Sequence, residues 1–117
     1  VKATKPDATF YLLADFNAFA PDLQKVKIST SQKLSESLMV HPYHTAIVGG
    51  DSLVLERTDY SARIAYVDYD GVSVYQNYQD NKPKTHSERT EFVVNNAPKT
   101  VGGIKMITRF FEDIKNK

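Results

Sequence analysis

Tyr60-Ser61-Ala62-Arg63-Ile64-Ala65-Tyr66-Val67-Asp68-Tyr69-Asp70-Gly71 is the stretch on which the reading of this chain turns. Its β-branched and aromatic residues predict a strand that closes on an Asp-Gly turn. Arg63 stands at the start of that strand, among residues expected to be buried. A guanidinium cannot shed its charge, so a partly buried one needs an anion. Its planar fork matches a carboxylate through two parallel hydrogen bonds. The anion comes either from the fold, through Asp15, Asp68 or Glu56, or from a ligand. Arginines on strands often pair within their own domain.

Upstream, Phe10, Leu12, Ala14 and Phe16 alternate with Tyr11, Leu13 and Asp15. Apolar residues on both sides predict a strand over 8–16, in a sheet covered on at least one face. Residues 17–29, with Pro21 and little periodicity, read as a long loop. A helix follows from Thr30 to Val40, capped by Thr30 or Ser31, with Leu34 and Leu38 on one face and Pro42 beyond its end. Thr45 to Val48 reads as a short strand, and Gly49-Gly50 allows a turn with positive φ. Ser52 to Glu56 is a candidate for a further strand.

Downstream, Val72, Tyr75 and Tyr78 suit a helix face, while Val72 and Val74 also suit a strand. Asp80 to Thr85 reads as a polar linker. Ser87 can cap a short helix to about Asn95. Pro98 opens a last helix whose apolar face is Val101, Ile104, Ile107, Phe111 and Ile114. Strand, helix, several strands and then helices predict an α+β fold. Helices, including a long C-terminal one, would cover one face of a small, mainly antiparallel sheet. Residues 1–117 are expected to form a single domain.

Composition narrows the function classes. The chain has 117 residues, enough for one modest core. A net charge of +1 provides no electrostatic case for nucleic acid or an anionic membrane. No apolar run approaches the roughly 20 residues that span a bilayer, and no signal-peptide pattern precedes the first strand. Without cysteine there is neither a disulfide framework nor a thiolate metal site. That composition fits a reducing cytoplasm, the expected location.

Five segments in order resemble the C-terminal small domain of fold-type I, pyridoxal-phosphate-dependent aminotransferases of classes I and II. Thr9-Phe10-Tyr11-Leu12-Leu13-Ala14-Asp15-Phe16 is similar to the strand that opens that domain. The serine-rich helix at Thr30 to Val40 comes second. Thr45-Ala46-Ile47-Val48-Gly49-Gly50-Asp51 is similar to the next strand and turn. The Arg63 strand follows. Glu91-Phe92-Val93-Val94-Asn95-Asn96-Ala97-Pro98, leading to Val101-Gly102-Gly103-Ile104, is similar to the entry of the last helix. The resemblance also tips Val72 to Tyr78 towards helix.

The resemblance implies that Arg63 binds the carboxylate of an amino-acid or 2-oxo-acid substrate, with Gly49, Gly50 and Asp51 bordering the active site. It implies a homodimeric enzyme whose small domain closes over substrate. Pyridoxal 5'-phosphate would form its Schiff base with a lysine of a large domain upstream, so this chain alone is expected to be an inactive fragment. The start at Val1, directly before a strand, fits that expectation. Two departures stand out. Gly49-Gly50-Asp51 replaces the usual proline, glycine and serine, and Leu53 replaces the aromatic residue after them or that residue is missing. The segment from Gln76 to His86 also differs. The alternative is a standalone, non-enzymatic ligand-binding or regulatory module using Arg63 for a small carboxylate.

Other residues carry less. His41 and His44 stand three apart, but Pro42 interrupts any helix that would align them, so no metal site is assigned. Gly102-Gly103 lacks a preceding strand and a Gly-x-Gly-x-x-Gly pattern, which leaves close helix packing as its role. Asp68 and Asp70 resemble an acid/base pair, but the Asp-Gly turn points to a structural role. The tyrosines are not interleaved with basic residues as a nucleic-acid surface requires.

Overall fold

A computed structural model describes residues Val1–Lys117. The fold is α+β. Its strands are β1 (Lys2–Ala3), β2 (Tyr11–Asp15), β3 (Val48–Gly49) and β4 (Ser61–Ala65). They form one antiparallel sheet in the order β1-β2-β4-β3. The central pair aligns Tyr11 with Ala65, Leu13 with Arg63 and Asp15 with Ser61. Successive side chains of a strand leave opposite faces. Ala14, Ala62 and Ile64 therefore enter the core, while Tyr11, Leu13, Arg63 and Ala65 stand on the other face.

The helices are α1 (Ala20–Lys25), α2 (Ser31–Met39), α3 (Gly71–Asn81), α4 (His86–Asn96) and α5 (Pro98–Lys115). Thr30 caps α2, its hydroxyl accepting from the Lys33 N–H at 3.2 Å. Leu34 and Leu38 are both 0% exposed. Pro98 opens α5, and Ile107, Phe110, Phe111 and Ile114 are buried along it. Phe111 stacks on Phe16 at 4.8 Å between ring centres, and Phe110 meets Tyr43 edge-on at 5.0 Å.

The predicted face of α5 is shifted. Phe110 belongs to the core, while Ile104 is 45% exposed. The first half of α5 stands off the sheet, and cavities of 620 and 430 Å3 that both include Ile104 fill the gap. Close packing is not what Gly102 and Gly103 provide. A Cβ on Gly102 would meet nothing within 4 Å, and one on Gly103 only Thr45 at 4.0 Å.

Several local expectations are corrected by packing. Residues 17–29 hold a 3-10 turn (Asn17–Phe19) and α1, because Pro21 suits a first helical turn and Leu23 inserts fully into the core. The strand expected at Thr45 to Val48 pairs only at Val48–Gly49. No glycine has positive φ; Gly49 is extended at φ −62° and ψ 152°. The glycines there are required by space. A Cβ on Gly49 would lie 2.9 Å from the Ser31 carbonyl oxygen, and one on Gly50 3.0 Å from that of Ser61. Ser52 to Glu56 is no strand: Gly50–Leu53 forms a 3-10 turn that ends at Val54, whose φ is 67°.

Asp70-Gly71 is a helix start rather than a turn. The Asp70 carboxylate accepts from the N–H groups of Val72 and Ser73 and so caps α3. Thr85, not Ser87, caps α4. It forms a capping box with Glu88, whose carboxylate accepts from the Thr85 N–H at 3.0 Å. These hydrogen bonds hold the Asp70 and Glu88 carboxyls below their usual pKa values, Asp70 mainly through the Ser73 side chain and Glu88 mainly through the Thr85 N–H. Neither α3 nor α4 buries a residue, although Tyr78 meets Phe92 at 5.9 Å between rings. No helix is long and apolar enough to cross a membrane.

Candidate functional site

Arg63 lies in the middle of β4, flanked by Leu13 on β2 and Val48 on β3. It is half-buried on the face of the sheet opposite the helices. Its guanidinium carbon sits 4.4 Å from the centre of the Tyr11 ring. The chain's ion pairs are Lys25–Asp22 and Arg109–Asp113, so Arg63 has no carboxylate partner within the fold. Asp15, Asp68 and Glu56, the internal candidates, all remain apart from it.

Asp15 is already occupied. Its Oδ1 accepts from the backbone and side-chain N–H groups of Asn17, each at 2.8 Å. The Asn17 amide also donates to Asp59 at 3.0 Å, and its carbonyl accepts from the Tyr60 N–H at 2.9 Å. This junction ties the end of β2 to the start of β4. Hydrogen bonds, first of all from Asn17, hold the Asp59 carboxyl below its usual pKa. Asp68 and Glu56 are exposed and make no ion pair.

Gly49, Gly50 and Asp51 follow the β3 edge beside Arg63: Val48 aligns with Arg63 and Gly49 with Ala62. Gly49 and Arg63 thus lie on paired strands, while Gly50 and Asp51 begin the 3-10 turn that follows β3. Gly49 and Gly50 are buried, and the Asp51 carboxylate accepts from the Ser31 hydroxyl at 2.8 Å. None of the three bonds to Arg63. The two cavities along α5 lie on the helix-covered side, and Arg63 lines neither. An unpaired guanidinium on an open face can grip and orient an anion. It holds no acid, base or nucleophile poised against it.

The remaining candidates are dispersed. The rings of His41 and His44 are 5.6 Å apart, and no group of three metal-ligating side chains forms. Asp70 is spent on its cap, apart from Asp68. Tyr60 donates to the Ile28 carbonyl at 2.9 Å and Tyr66 to that of Thr9 at 2.6 Å, so both hydroxyls are structural. The tyrosine that reaches Arg63 is Tyr11, which reading along the chain did not single out. Only the cross-strand register reveals it, through the offset of Tyr11 by two positions from Leu13, the partner of Arg63. Comparison with models of known families, with curated proteins and with solved structures returned no match.

Proposed function

We propose that this chain is the C-terminal small domain of a pyridoxal-phosphate-dependent aminotransferase, in which Arg63 binds the substrate carboxylate. The observation that carries the reading is a half-buried, unpaired guanidinium in the centre of the uncovered sheet face. Two parallel N–H···O bonds from its fork would fix the α-carboxylate of an amino acid and, in turn, of a 2-oxo acid. A fixed carboxylate also fixes Cα, which is catalysis by positioning. The cofactor would supply the electron sink from a large domain upstream. That domain, in a homodimer, would close over the open face and exclude water. A site open on one side fits this division of labour.

The test uses the complete open reading frame, purified with pyridoxal phosphate and assayed with the protein amino acids as donors. Transamination is expected, with the cofactor trapped by borohydride on a lysine upstream of Val1. Arg63→Lys keeps the charge but loses the fork, and KM should rise about 10- to 100-fold. Its effect on stability should stay below about 1 kcal/mol, because Arg63 has no polar partner to lose. The 117-residue chain alone should form no stoichiometric lysine adduct. A start codon directly before Val1, or full activity in Arg63→Lys, would overturn the assignment. The first result favours the standalone carboxylate-binding module.

A further inference from the structure

Tyr11 and Arg63 belong to neighbouring strands and share the uncovered face of the sheet. Leu13 aligns with Arg63, which makes Tyr11 the diagonal neighbour, within reach of a long side chain. The guanidinium carbon lies over the Tyr11 ring, 4.4 Å from its centre. An aromatic face attracts a cation without consuming an N–H donor. A carboxylate in the same place would hold Arg63 equally well and occupy the fork. The ring thus restrains the guanidinium and leaves its donors unspent. Tyr11 is in turn supported by Phe10, whose ring centre is 4.2 Å away. The Tyr11 hydroxyl makes no hydrogen bond within the chain, while its backbone N–H donates to the Thr9 hydroxyl at 3.3 Å.

We propose that Tyr11 is a positioning residue for Arg63: its ring sets the guanidinium in place so that the fork meets a substrate carboxylate without reorganising. This rests on the reading of Arg63 as the carboxylate-binding residue. A restrained fork loses less freedom on binding than a free one, so the contribution appears in affinity. The ring, not the hydroxyl, carries the effect.

The experiment measures transamination by the complete gene product with the best donor among the protein amino acids. Tyr11→Leu should raise KM for donor and 2-oxo-acid acceptor by about tenfold, with kcat within about twofold of the parent. Tyr11→Phe should restore KM to within about twofold of the parent. If Tyr11→Leu does not fold, Tyr11→Met repeats the measurement with an unbranched chain. A structural role alone would lower kcat with the folded fraction and leave KM unchanged, which overturns the inference. If Arg63→Lys raises KM and the Tyr11 variants do not, the inference fails and the Arg63 assignment stands. If Arg63→Lys leaves KM unchanged, or the complete protein does not transaminate, the reading fails and the inference with it.

Discussion

Ser31 and Asp51 bind each other twice. The Ser31 hydroxyl donates to Asp51 Oδ1 at 2.8 Å and accepts from the Asp51 N–H at 3.1 Å. Ser31 is buried, and this pair fastens the turn after β3 to the first residue of α2. Ser31→Ala leaves the Asp51 N–H and carboxylate without that partner. We expect a loss of about 1–3 kcal/mol in urea denaturation. A loss below about 0.5 kcal/mol would show the turn held by other contacts.

Gly49→Ala should be costly for a related reason. The new methyl would approach the Ser31 carbonyl at 2.9 Å, a backbone atom that cannot swing aside. A loss of about 1–3 kcal/mol is expected, as for other overpacked sites. Gly102→Ala is the counterpart. No atom lies within 4 Å of its added Cβ, and it sits inside α5. It should gain about 0.5–1 kcal/mol from helix propensity. Equal responses at the two positions would contradict the packing described.

Ile107 and Ile104 test how α5 meets the sheet. Ile107 is 6% exposed and Ile104 is 45% exposed. Ile107→Ala should cost about 2–5 kcal/mol. Ile104→Ala should cost clearly less, about 1 kcal/mol or below. A reversed order would mean that the helix is rotated on the core.

Asp59 should titrate below the usual aspartate value, because Asn17 and Ser61 donate to its carboxylate. A carboxyl depressed in the folded state contributes stability that is present above its unfolded pKa. That contribution disappears as pH falls through the folded pKa. Stability should therefore decline on acidification below about pH 4. In Asn17→Ala the Asp59 midpoint, followed by NMR of its carboxyl carbon, should move up towards the ordinary value. An unchanged midpoint would show that Asn17 does not hold the carboxylate.

The strands and helices legible along the chain are those with a strong short-range signal. Alternation marks β2, β-branched and aromatic content marks β4, and the spacing of Leu34 and Leu38 behind Thr30 marks α2. Pro98 and the row that includes Ile107, Phe111 and Ile114 mark α5. Arg63 was visible because a charged residue interrupts an otherwise apolar strand. These are properties of neighbours in sequence, and the backbone's own periodicities of two and 3.6 expose them.

Pairing across the chain was settled by packing alone. The α1 helix forms where the periodicity predicts a loop, because Leu23 finds a core to enter; the Asp70 and Thr85 caps, by contrast, bond groups two or three residues on and are local signals. Gly49 is needed for the space beside Ser31, not for its φ. The Tyr11 ring reaches Arg63 only through the alignment of β2 with β4, two strands 45 or more residues apart in the chain. Such contacts depend on register and on which surfaces exclude water together, and neither quantity is local in sequence.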